Sequence, residues 1–175
     1  MNKRILKECY SQVGRIHADA KTNIKFYPLN CTVNDILSLS ELMGYKIAEF
    51  TEHNKPNFDE VGYKAGYVWV YSPNELNGSF HDAEYTRKWR YIHELAHART
   101  YDILLEMHGI DKIVRGEGKM SLEGALIALE WELHTLDLQH IYVESLTGIT
   151  LPKEAKLMER NTMIADLMYR CITLH

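Results

Sequence analysis

The segment Tyr91-Ile92-His93-Glu94-Leu95-Ala96-His97 sets two histidines four residues apart, with a carboxylate directly after the first. On an α-helix four residues advance the chain by roughly 400° and about 6 Å, so His93 and His97 occupy one face, one turn apart. Two neutral imidazole nitrogens at that spacing can reach a single Zn²⁺ at roughly 2.0–2.1 Å. Glu94 is rotated about 100° from His93, which puts it beside such an ion rather than on it, where it can take a proton from water. This HExxH pattern is the mark of metal-assisted hydrolysis, with His93 and His97 as ligands and Glu94 as general base.

A catalytic zinc needs a third protein ligand and an open position for water. The extended pattern HExxHxxGxxH is absent, because Thr100 and Ile103 stand where it requires Gly and His. The donor is therefore sought on a later helix that opens at Ser121, which carries Glu123, Glu130 and Glu132. Glu130, His134 and Asp137 share one face at i, i+4 and i+7, bordering a leucine stripe, whereas Glu132 points elsewhere. Glu130 is the foremost ligand on this reading, with Glu123 and His134 as alternatives. His134 or Asp137 is then placed to accept a hydrogen bond from a ligating imidazole. His108 and His140 read as surface or helix-end residues.

The elements that must position these groups follow from periodicity. Residues 2–20 place Ile5, Cys9, Val13 and Ile16 at helical spacing. Residues 23–29 read as a strand, Ile24 to Tyr27, stopped by Pro28. A helix is expected over 33–43, with Asn34 or Thr32 near its cap and Gly44 at its end, then a strand over 45–51 and a loop at 54–57. Residues 66–71, Gly-Tyr-Val-Trp-Val-Tyr, form the clearest strand, closed by Ser72-Pro73-Asn74. The motif helix has Asp82 as N-cap, Trp89, Ile92, Ala96 and Ile103 at helical spacing, and Gly109 as stop. Residues 115–119 connect it to the Ser121 helix, which runs to about Ser145 with Leu122, Leu126, Leu129, Leu133 and Leu136 as its stripe. Thr147-Gly148 breaks that helix, Pro152 opens a last one, and Leu157, Ile164, Leu167 and Cys171 give the last one its buried face.

The chain has 175 residues, 46% hydrophobic and 25% charged, which suits one soluble globular domain over 1–175 with a core of its own. A net charge of −4 gives no overall attraction to nucleic acid or anionic lipid. The cluster Arg87-Lys88-Trp89-Arg90 reads as the solvated face of the motif helix. No apolar run is long enough for a signal peptide or a membrane span, so neither membrane nor nucleic acid is an expected partner. Cys9, Cys31 and Cys171 are odd in number and far apart, which fits small buried residues in a reduced, cytoplasmic setting.

These residues resemble the gluzincin metallopeptidases, most closely the small ImmA/IrrE-like group of phage, mobile-element and bacterial stress systems. The resemblance rests on the Tyr-rich strand 66–71, on His93-Glu94-Leu95-Ala96-His97, and on Glu130-Trp131-Glu132-Leu133-His134, where that group has a Glu-x-Glu-Ala-Asn-like helix. It spans residues 60–140. The chain departs from the pattern at Ala96, often Gly there, and at Leu133 and His134, where Ala and Asn or Asp are usual. By position the resemblance implies His93, His97 and Glu130 as zinc ligands and Glu94 as base. It also implies a zincin-like α+β fold: a small twisted, mostly antiparallel sheet packed on the active-site helix and a following ligand-bearing helix, with further helices at both termini.

The activity expected is zinc-dependent hydrolysis of a peptide bond in a protein or peptide substrate, with Tyr67, Trp69 and Tyr71 on the strand against which an extended substrate pairs. Arg99, Tyr101, His140 and Tyr142 are available oxyanion donors that spacing cannot rank. Two other readings share the fold: a regulatory zincin-like binding protein without turnover, acting through a protein partner, and an effector protease directed at one host protein.

Overall fold

The computed structural model of the protein describes residues 29–56, 63–72, 83–108 and 122–173. The fold is α+β. In chain order it comprises α1 (Val33–Leu42), β1 (Lys46–Phe50), a 3-10 turn (Tyr63–Ala65), β2 (Tyr67–Tyr71), α2 (Ala83–His108), α3 (Leu122–Thr147) and α4 (Lys153–Thr173). The expected helix over 2–20 and strand over 23–29 lie outside the described residues, as do Asp82, Gly109 and Ser121.

The chain divides into two compact units, and two of the four boundaries between them fall inside a continuous helix, after Ile103 in α2 and after Leu136 in α3. The first unit holds the described residues 29–56, 63–72, 83–103 and 137–150. Its sheet is β1 beside β2, with Lys46 opposite Tyr67 and Phe50 opposite Tyr71. The pairing is parallel, which corrects the expectation of an antiparallel sheet. Residues 51–66 separate the strands, and a connection of that length returns the chain to the starting edge, whereas an antiparallel pair can close through a two-residue turn. Gly44 and Gly66 mark that edge, with φ of 84° and 75°. Lys46 N–H donates to Gly66 O at 2.8 Å, and a Cβ on Gly66 would stand 3.2 Å from Gly44 O. Only glycine combines the left-handed backbone with that approach.

Helix α1 begins with a capping box: Thr32 Oγ1 accepts from Asp35 N–H, and the Asp35 carboxylate accepts from Thr32 N–H at 2.7 Å. Ile36 and Ser40 carry its buried face, and Ser40 Oγ donates to Tyr45 O. Along β2 burial alternates, so Val68 and Val70 enter the core while Tyr67, Trp69 and Tyr71 lie on the other face. Ile92, Leu95, Ala96 and Ala98 of α2 and Val143 of α3 complete this unit's apolar interior.

The cluster Arg87-Lys88-Trp89-Arg90 forms a seam rather than a solvated face. Arg87 Nε donates to Glu49 Oε1 at 2.7 Å, Arg90 Nη1 to Tyr71 O at 3.3 Å, and Lys88 Nζ to Glu84 and Leu29 O at 2.8 and 3.4 Å. Glu49 also accepts from Tyr91 Oη and Ser72 Oγ, so one carboxylate of β1 ties α2 to the ends of the sheet. Long basic side chains can lay their stems along apolar surface, so a charge run does not by itself mark a face turned to water.

In the second unit, described over 104–108, 122–136 and 151–173, Leu136, Leu151 and Ala165 are buried. Helix α4 starts after Pro152, whose carbonyl accepts from Ala155 and Lys156 N–H. Leu157, expected in the core, is 47% exposed. Periodicity tells which side chains share a face, not how much of that face is covered. No helix among the described residues is long and apolar enough to cross a membrane.

Candidate metal centre

His93 and His97 lie near the middle of α2, on the stretch that the Glu49 and Tyr71 contacts hold against the sheet. His97 is buried and His93 half-buried. Their Nε2 atoms face each other at 3.1 Å, with the rings edge to face at 89°. Two nitrogens bound to one tetrahedral zinc at roughly 2.05 Å stand about 3.4 Å apart, so the observed spacing needs only a small opening to admit the ion. An N–H···N hydrogen bond fits the same distance when no ion is held.

The His93 ring is fixed on two further sides. Trp89, one turn earlier, stacks on it with centroids 5.0 Å apart and planes 8° from parallel. Its Nδ1 lies 2.8 Å from Oε1 of Gln139, a fully buried side chain of α3. Gln139 thus occupies the position beside a histidine that the sequence assigned to His134 or Asp137, both of which are exposed.

Among the described residues one group of donors could hold a metal ion: His93, His97 and Glu132, each offering one ligand atom, all within 4.8 Å of one another. The structure brings Glu132, rather than Glu130, to the histidines. Glu130 instead faces His134 across 3.9 Å, with side chains 38% and 59% exposed. The helical phase of α3 explains the difference. Measured about the axis at 100° per residue, Glu132 and Gln139 lie roughly 40–60° to one side of Leu136, and Glu130 and Asp137 about 100–120° to the other. Leu136, Gln139 and Val143 are all essentially inaccessible, so the row 132, 136, 139, 143 follows the buried face. Measured instead from the centre of the whole leucine stripe, Glu130 and Glu132 stand about 80° to either side, so the sequence alone does not choose between them. Gln139 escaped because a neutral amide attracts no notice as a metal-site residue.

Two imidazoles and one carboxylate are donor types that a zinc ion with one open position accepts, and among the described residues no thiolate joins them. Glu94 follows His93 on α2 and is half-buried. Glu123 has no described side chain. Of the expected oxyanion donors, Tyr101 is buried edge-on to Tyr63 at 5.2 Å, His140 is 3% exposed rather than on the surface, and Arg99 is exposed. Tyr142 is half-buried, and desolvation pushes its phenol up to about 12. Burial, and then the adjacent Glu49 carboxylate, likewise push the Tyr91 phenol up to about 12.

Tyr67 and Trp69 stack at 5.9 Å on the outer face of β2, and Tyr71 meets Phe50 edge to face at 5.3 Å. Among the described residues β2 has one strand neighbour, β1. Cys31 is buried and free, and burial raises its thiol pKa. Compared with protein-family models, curated proteins and solved structures, the chain matches none.

Proposed function

We propose that this chain is a zinc-dependent peptidase in which His93, His97 and Glu132 hold the metal and Glu94 is the general base. The observation that carries the reading is the grouping of His93, His97 and Glu132 from separate helices, with the two imidazole Nε2 atoms 3.1 Å apart. The HExxH spacing and the half-buried position of Glu94 support it. So does the resemblance to the ImmA/IrrE-like gluzincins, with the ligand moved from Glu130 to Glu132, the other acidic residue of the same motif.

A bound Zn²⁺ would supply Lewis acidity to the scissile carbonyl and make water acidic near neutral pH. Glu94 takes the proton of the attacking water and delivers it to the leaving nitrogen, the two transfers that peptide hydrolysis requires of one base. Trp89 shields one face of His93, which limits the ring's freedom to turn away. An extended peptide is the substrate class that fits a short strand with an aromatic outer face, because main-chain pairing supplies affinity with little demand on sequence.

The test begins with metal. Wild-type protein loaded with zinc and dialysed should retain one equivalent, Glu94→Gln should retain it as well, and His97→Ala should not. Glu94→Gln should also lose cleavage of an unfolded protein substrate that the wild type cuts. A wild type that retains no zinc ends the metal reading, and cleavage by zinc-loaded Glu94→Gln ends the role of the base.

A further inference from the structure

We infer that Gln139 is the positioning residue that sets the tautomer of His93, holding its proton on Nδ1 so that the Nε2 lone pair is directed at His97 and Glu132. The inference deepens the metal reading above and rests on it. A neutral imidazole carries one ring proton, and the hydrogen bond made by one nitrogen decides what the other can do. Two proton arrangements are compatible with the short contacts around this ring. In the first, Nδ1–H donates to Gln139 Oε1 and Nε2 presents a lone pair. In the second, the carboxamide is turned, its NH₂ donates to Nδ1, and Nε2–H points at His97.

Only the first arrangement allows His93 to ligate a metal, and it is the one in which Oε1 faces Nδ1 at 2.8 Å. Gln139 is 0% exposed, so water does not compete for the contact, and Trp89 stacked on the ring keeps Nδ1 in line with it. A carboxylate at this place enforces the same tautomer through its charge. An amide enforces it through orientation alone and adds no negative charge to those of Glu132 and Glu94, so it would withdraw less of the ion's positive charge.

The deciding measurement uses the unaltered protein. In ¹⁵N-labelled wild type prepared without metal at alkaline pH, long-range ring correlations, assigned by their loss in His93→Gln, should show His93 protonated at Nδ1. A ring protonated at Nε2 overturns the inference whether or not zinc binds. Chelator competition gives a second reading: a folded Gln139→Leu should bind zinc about 10–100-fold more weakly than wild type, and Gln139→Glu should recover most of that loss. Unchanged zinc affinity in folded Gln139→Leu would also overturn it. A wild type that takes up no zinc but shows the Nδ1–H ring would instead count against the metal reading and leave the tautomer assignment standing.

Discussion

At the scale of single residues, the sharpest distinction is between two glutamates two positions apart. Glu132 lies with His93 and His97, while Glu130 faces His134 toward solvent. Removing a metal ligand would cost far more than removing a partly exposed polar contact at i, i+4, which is worth at most a few tenths of a kcal/mol. Glu132→Gln is therefore expected to lower zinc affinity by at least tenfold, and Glu130→Gln to leave it within about twofold, a difference read by chelator competition. The reverse order would restore Glu130 to the site and remove the argument from the phase of α3.

At the scale of elements, each helix and strand has its own source of order. Helix α1 depends on its capping box, and Thr32→Ala is expected to cost about 1 kcal/mol, measured by denaturant unfolding. Hydrogen bonds from the Thr32 backbone and side chain hold the Asp35 carboxyl below its ordinary value of 3.8. Since the folded pKa lies below the unfolded one, this contribution is complete above the unfolded value and is lost as pH falls through the lower folded value. The acid limb of unfolding should accordingly be shallower in Asp35→Asn than in the wild type. Helix α2 depends instead on long-range anchors, Arg87 and Tyr91 on Glu49 and Arg90 on Tyr71 O, so its placement is a property of the sheet as much as of its own residues.

At the scale of the whole molecule, donors on two helices would make the proposed metal binding a property of the native state. An ion that binds the folded chain and not the unfolded one stabilises it by about 2.7 kcal/mol when present at 100 times its Kd. For a chain of this length each kcal/mol moves the midpoint by roughly 2–4 °C, so zinc should raise Tm by about 5–11 °C and a chelator should reverse the change. His97→Ala should show no zinc-dependent shift. An equal shift in that variant would place the ion elsewhere.

Local order along one stretch of chain was legible in the sequence. The extent of α2, the strand at Tyr67–Tyr71, the end of α1 near Gly44, the start of α4 after Pro152 and the shared face of His93 and His97 all follow from spacing, capping and turn residues within a few positions. What tertiary structure alone decided is how the elements face one another: the parallel sense of β1 and β2, the turning of Glu132 and Gln139 rather than Glu130 and His134 toward the histidines, and the use of Arg87 and Arg90 as anchors. A helix with polar rows on both sides of its apolar stripe packs with either row inward until a neighbour fixes its rotation. That rotation is set by side chains distant in sequence, and no local pattern records it.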